Sequence, residues 1–175
     1  FMGIKALNTR AQGLMSFVDS YRKLYKIPKP VFSNFNFQEI LDEISVLFKN
    51  TLLEKNIQLN VSGDGNTILF ADKTLITQVF INLIKNAIDA LNHCENPKIE
   101  IKIQIIDNGT IISVSDNGTG ISPENLDDIF IPFFTTKEDG SGIGLYYSKM
   151  IIYMHKGTLK VSSAPDKGSV FTIQL

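Results

Sequence analysis

Gln78, Asn82, Asn86, Asp89 and His93 follow one another at intervals of 4, 4, 3 and 4 residues. On a helix of 3.6 residues per turn they fall in one stripe roughly 80° wide. The rest of segment 75–91 is apolar, with Leu75, Ile76, Val79, Phe80, Leu83, Ile84, Ala87, Ile88 and Leu91 around the remaining circumference. So apolar a helix is expected to be buried, and buried amides and carboxylates are costly unless something satisfies them. The stripe therefore wants a polar partner, and a bound ligand or a metal ion is the obvious candidate.

Three further segments have side chains suited to chemistry. The tetrapeptide Asp-Asn-Gly-Thr occurs twice, at 107–110 and 116–119. The first copy joins two alternating segments and is sufficiently explained as a hairpin turn. The second runs into Gly120 and a helix start. Ile112, Val114 and Asp116 share one strand parity, so Asp116 continues an inward-facing apolar row. A carboxylate there can accept a hydrogen bond from an exocyclic amine such as that of adenine, although this segment alone reads equally well as a second turn aspartate. Gly140-Ser-Gly-Ile-Gly-Leu145 opens a later helix. Small residues let backbone approach a phosphate, and a helix start supplies free N–H groups. The lysine of a Walker A loop and the glycine spacing of a dinucleotide fingerprint are both absent, and a flexible loop is the plain alternative. Between the glycine segments lies Ile129-Phe-Ile-Pro-Phe-Phe-Thr-Thr-Lys137. Phe130, Phe133 and Phe134 can anchor a mobile loop while Thr135, Thr136 and Lys137 face anionic oxygens; a small apolar cluster beside a solvated lysine is the simpler account.

These residues need a scaffold, and the patterning supplies one. A short strand is expected over Val31–Phe37, then a helix over Phe37–Glu54 with Ile40, Leu41, Ile44, Leu47, Phe48 and Leu52 on one side. Asn56–Ser62 alternates as a strand, Gly63–Asn66 turns, Thr67–Phe70 returns, and Asp72 suits the N-cap of the striped helix. Ile99–Ile105 alternates strictly, Asn108-Gly109 signals a two-residue hairpin, and Ile111–Ser115 is its return strand. Ser122-Pro123 looks like a cap followed by a first-turn proline. A last helix, Ile143–Lys156, should stop at Gly157. Thr158–Ser163 and Ser169–Leu175, joined by the turn 165–168, complete the sheet. The fold class is an α/β (α+β) sandwich, a mixed sheet with helices packed on one face. Ahead of it, Ile4, Leu7, Ala11, Leu14, Val18, Tyr21 and Tyr25 make a narrow two-in-seven seam, as on a helix that docks on a partner helix. Pro28 and Pro30 end that helix. The expected organisation is a bundle-type helix at 1–27, a linker at 28–31 and one domain at 32–175.

Composition narrows the function classes. With 175 residues, 43% hydrophobic content and net charge −1, the chain suits one ordinary domain. Its scattered basic residues leave no electrostatic footprint for nucleic acid or an acidic membrane surface. The single cysteine, Cys94, excludes an internal disulfide and fits a reducing compartment. No apolar run approaches the roughly 20 residues that span a bilayer. The start at Phe1-Met2 points to an upstream region, so the chain is expected to be a cytoplasmic piece of a larger protein, with membrane anchoring of the parent left open.

In their order along the chain, Asn-Leu-Ile-Lys-Asn-Ala-Ile-Asp-Ala-Leu (82–91), Asp-Asn-Gly-Thr-Gly-Ile (116–121), Pro-Phe-Phe-Thr-Thr-Lys (132–137) and Gly-Ser-Gly-Ile-Gly-Leu (140–145) closely resemble the N, G1, F and G2 boxes of sensor histidine kinase ATP-binding domains. The resemblance covers about residues 32–175, and the N-terminal seam looks like the second helix of the dimerisation and phosphotransfer hairpin. It implies ATP and Mg²⁺ as cofactors. Asn86 would ligate Mg²⁺ through its amide oxygen, with Asn82 and Asp89 lining the phosphate and metal region. Asp116 would read the adenine amine, while Gly118 and Gly120 allow close backbone approach beside Ile121. Phe134, Thr136 and Lys137 would contribute from the F box, Lys137 neutralising terminal phosphate charge. Gly140, Ser141, Gly142, Ile143, Gly144 and Leu145 would hold the phosphates, and residues 120–141 would form a lid.

The resemblance also implies partners: a phosphoacceptor helix of its own or a partner protomer, a response-regulator receiver domain, and a homodimer in the full-length protein. Related ATPases of the wider superfamily carry a glutamate one turn before the metal asparagine to activate water. Asn82 stands there instead, so transfer is expected to prevail over hydrolysis, with Asn82 and Lys137 as the catalytic pair. The chain's only histidines, His93 and His155, do not stand in the acceptor context, so the acceptor should lie outside this chain. An ATP-dependent switch that sequesters a partner protein, or a serine kinase or ATPase on the same scaffold, is the alternative.

Overall fold

The computed structural model describes residues 27–137 and 140–175. The seam at 4–25 and the bundle helix expected from it lie outside the described residues.

Strand β1 (Ser33–Asn36) leads directly into helix α1 (Phe37–Glu54), and a reciprocal cap explains the abrupt change. Asn36 Oδ1 accepts from the Gln38 N–H at 2.9 Å while Glu39 Oε1 accepts from the Asn36 N–H at 3.2 Å, satisfying two orphan donors of the first turn. Phe37, Ile40, Leu41 and Ile44 are buried, and Phe48 and Leu52 are partly buried against the core, whereas Leu47, expected on that side, is 56% exposed. Strands β2 (Gln58–Ser62) and β3 (Ile68–Ala71) follow; β3 pairs antiparallel with β1 in a separate two-stranded sheet.

Helix α2 (Lys73–Ala90) is the striped helix. Its cap is the expected one: Asp72 Oδ1 accepts from the Leu75 N–H at 3.0 Å. Nine of its residues are buried, among them Ile76, Val79, Phe80, Leu83 and Ile84. Phe80 meets Phe37 edge-on, ring centroids 5.1 Å apart, a geometry that adds about 0.5–1.5 kcal/mol to simple burial.

Strands β4 (Lys98–Ile106) and β5 (Gly109–Asp116) form the predicted hairpin, but its loop is Asp107-Asn108, because Ile106 pairs with Gly109. Gly109 instead enters the return strand at φ +132°. Helix α3 (Pro123–Leu126) is one turn; Ser122 is its N-cap and Pro123 opens the first turn, as expected, although the Ser122 side chain makes no cap bond. Helix α4 (Gly144–Met154) ends at a left-handed residue, but that residue is Lys156 (φ 60°) and not Gly157. Gly157 answers a different need, since a Cβ there would overlap the Gln174 carbonyl of the neighbouring strand.

With β6 (Thr158–Ser163) and β7 (Ser169–Gln174), the main sheet has the order β2-β4-β5-β7-β6, parallel only between β2 and β4. Ile99, Ile101, Ile103, Ile112, Val114, Leu159, Phe171 and Ile173 make up its covered face, and Glu100, Lys102, Gln104 and Lys160 lie on the other. The helices therefore pack on one face. Ile105 departs from the alternation, 66% exposed at the hairpin tip.

Candidate nucleotide-binding site

The stripe on α2 divides in three dimensions. Gln78 is exposed and lines a shallow groove on the α1 side with Glu43, Lys73, Thr74, Thr77 and Ile81. His93 is exposed beyond the end of the helix. Asn82, Asn86 and Asp89 remain, each half-buried, and three other segments meet α2 at or beside them.

The glycine segment meets it first. Asn82 Nδ2 donates to Ser148 Oγ at 3.0 Å, and Ser148 is buried within α4. A Cβ at Gly144 would overlap the Asn82 amide, so this glycine is needed for the approach of two helices as well as for any ligand. The same helices are tied again at their far ends: His155 Nε2 accepts from the Asp72 N–H at 3.0 Å, and His155 Nδ1 lies 2.8 Å from the Ile151 carbonyl. Both nitrogens of this buried histidine are thus engaged in structure.

One turn on, the aromatic segment meets α2. Lys137 Nζ donates to Asn86 Oδ1 at 3.2 Å and to Asp89 Oδ2 at 2.7 Å. Its own backbone N–H donates to Thr135 Oγ1 at 3.1 Å, so the Thr135 hydroxyl serves the loop. Phe133 takes a left-handed φ of 69° and its N–H donates to the Gly142 carbonyl at 2.9 Å. Gly142 is itself left-handed, and a Cβ there would meet the Phe133 backbone. Phe130 and Phe134 pack against the core, and Phe133 is 40% exposed.

The second Asp-Asn-Gly-Thr meets the end of α2. Gly118 is buried so closely against Ala90 that a Cβ would overlap its carbonyl, and the Thr119 N–H donates to that same carbonyl at 3.1 Å. A helix-terminal acceptor is thereby satisfied. Asp116, half-buried at the end of β5, accepts from the Gly118 N–H at 2.9 Å. Burial pushes its carboxyl above the ordinary aspartate range, and the N–H groups of Gly118 and Ser169 pull against that rise.

The other expected residues fall around these contacts. Ile121 and Leu145 are partly buried against the core and Ile143 is buried. Gly120 is left-handed (φ 67°) against the Ala164 carbonyl, and Gly140 lies beside Thr135. Thr136 and Ser141 are exposed. Sequence reasoning missed Ser148, Ser163 and Ser169. Strand parity carries a signal for the last two: Ser163 continues the inward row Leu159-Val161, and Ser169 begins the row Phe171-Ile173.

The model of the histidine kinase-, DNA gyrase B-, and HSP90-like ATPase family matches residues 71–175. The chain belongs to this family. Within it the chain is an ATP-binding catalytic domain of the sensor histidine kinase kind. It is similar to the nucleotide-free catalytic domain of histidine kinase ThkA, with TM-score 0.75, 35% identity, and coverage of 83% of this chain and 95% of that one. The same kinase in complex with response regulator protein TrrA aligns with TM-score 0.79 at 30% identity, over 98% of this chain and 49% of the other. Sensor histidine kinase ZraS of Salmonella typhimurium is 37% identical over 157 residues, which is 87% of this chain. The chain spans only 34% of that relative's length. No helix among the described residues is long and apolar enough to cross a membrane.

Proposed function

We propose that this domain holds Mg²⁺-ATP against the Asn82–Asp89 face of α2 and offers the γ-phosphoryl group to a histidine outside this chain. The supporting observation is the Lys137 ammonium bonded to both Asn86 Oδ1 and Asp89 Oδ2. These oxygens already converge on one cation, and an amide carbonyl beside a carboxylate is the hard donor set that Mg²⁺ takes. Among the described residues no three His, Cys, Asp or Glu side chains converge, so a magnesium ion here would depend on the phosphates for most of its ligands, as is usual for it. When bound, the ion would offset charge on the phosphates.

The chain's own residues then divide the work. Asn86 supplies the metal-directed oxygen, and Lys137 exchanges Asp89 for phosphate oxygens. Asp116, already an acceptor for the Gly118 N–H, has lone pairs left for the adenine amine. Asn82 is an amide without basicity and spends its N–H on Ser148, so it cannot deprotonate water. Positioning and electrostatics are the main resources of phosphoryl transfer, and a site without a base leaves the phosphoryl group for a better-placed nucleophile. That nucleophile would be an imidazole on a phosphoacceptor helix of the same or a partner protomer in a dimeric parent, with a response-regulator receiver domain as the later acceptor. ThkA has been solved with its response regulator, which supports a partner of that class.

Calorimetric titration of the domain with ATP, with and without Mg²⁺, tests the reading. Magnesium-dependent association is expected, and no association at millimolar nucleotide would overturn it.

A further inference from the structure

Across the end of the main sheet, four residues stand opposite one another in register: Ile99, Asp116, Ser169 and Ser163. Cross-strand partners share a face, so the three polar residues form a row at the edge of the covered core. Ser163 Oγ has three partners. It donates to the Gly168 carbonyl at 2.7 Å, accepts from the Ile121 N–H at 2.8 Å, and lies 3.1 Å from Ser169 Oγ.

A hydroxyl has one proton. The Gly168 carbonyl can only accept, so Ser163 gives its proton there. In the contact between the two serines, Ser169 must therefore be the donor. Ser169 Oγ is then left with lone pairs only, beside a carboxylate that also accepts. The acceptor at the end of this relay is held by backbone: Gly168 is left-handed at φ +75°, and a Cβ there would overlap the Asp116 carbonyl. The Ile121 N–H, from the loop that continues the second Asp-Asn-Gly-Thr, locks Ser163 from the other side.

Resting on the nucleotide reading above, we propose that Ser163 is a positioning residue for base specificity: by taking the Ser169 proton it keeps the Asp116–Ser169 row an acceptor surface, which accepts a purine carrying an exocyclic amine and disfavours one carrying an oxo group. Replacing Ser163 by alanine leaves the Ser169 hydroxyl free to turn and donate toward an oxo group.

The experiment compares magnesium-dependent affinities for ATP and inosine triphosphate, by calorimetry, in the wild type, Ser163→Ala, Ser163→Thr, Ser169→Ala and the double alanine variant. Wild type should prefer ATP. Ser163→Ala should narrow the ratio about tenfold, the size of one hydrogen bond mispaired, chiefly through tighter inosine triphosphate binding. Ser163→Thr should restore the ratio, and the double variant should be no less selective than Ser169→Ala. Equal loss of both affinities in Ser163→Ala would assign the residue a purely structural role and overturn the proposal, as would an unchanged ratio. If Ser163→Ala does not fold, an unchanged ratio in Ser169→Ala overturns it equally. Wild type that binds neither nucleotide refutes the nucleotide reading itself, a result distinct from wild type that binds ATP while Ser163→Ala discriminates as before.

Discussion

Gly144→Ala tests whether the glycine segment is shaped by its neighbouring helix. Gly144 opens α4 at a negative φ, so alanine meets no backbone objection there. Helix propensity alone favours the change, by up to about 1 kcal/mol and less in a first turn. Against this, the new Cβ would overlap the Asn82 amide, which must rotate away and release Ser148 Oγ. Ser148 is 1% exposed and no water can replace the lost partner. Leaving a buried hydroxyl unsatisfied costs about 1–3 kcal/mol. The net expectation is destabilisation by about 1–2 kcal/mol, or roughly 2–8 °C in melting temperature for a domain of this size. The decisive comparison is made in an Asn82→Ala background, where the obstructing amide is gone. There Gly144→Ala should become neutral or stabilising, a change of sign that a double-mutant cycle by urea denaturation resolves. If Gly144→Ala were destabilising by the same amount in both backgrounds, or stabilising in both, the steric account of Gly144 would be wrong.

Asn86→Ala should weaken magnesium-dependent ATP binding at least tenfold with the melting temperature nearly unchanged; calorimetry and a thermal melt check both halves. Lys137→Met removes an exposed ion pair worth at most about 1 kcal/mol, so stability should hardly move. A charge-assisted bond to phosphate is worth about 1.5–3 kcal/mol, so the same variant should lose roughly ten- to a hundredfold in ATP affinity, and unchanged affinity would remove Lys137 from the phosphates. For Asp116 the sign follows from burial: its folded pKa is raised above the unfolded value near 3.8, so the stability it contributes is fully present below that value and is lost as pH rises through the folded pKa. Melts of wild type against Asp116→Asn should therefore shift in favour of wild type as the pH is lowered through the acid range, and a difference independent of pH would contradict the burial argument.

Much of this protein was legible in local pattern. The bounds of α1, the Asp72 cap of α2 and the inward parity of Asp116 all follow from periodicity and capping chemistry, which act over a few residues and need no knowledge of the fold. Local signals misled where a residue answers a distant neighbour. Gly157 looks like a helix stop, but it is small because the Gln174 carbonyl is close, and Lys156 takes the left-handed turn. Gln78 belongs to the polar stripe by spacing, yet the stripe is 80° wide and the site covers only part of it, so Gln78 faces the α1 side. Ser122 has the composition of a cap without making the bond.

What the sequence alone determined was the inventory: a buried helix with inward amides, a carboxylate closing an apolar row, glycines where backbone must come close, and their order along the chain. These depend on intervals of two to four residues, which helix and strand geometry convert directly into faces. Tertiary structure decided the pairings. Asn82 meets Ser148 across 66 residues, Lys137 reaches Asn86 across 51, and Asp116, Ser169 and Ser163 line up only because β5, β7 and β6 are adjacent. Such contacts are set by strand order and helix packing, which are settled by burial summed over the whole core and leave no mark at any one position.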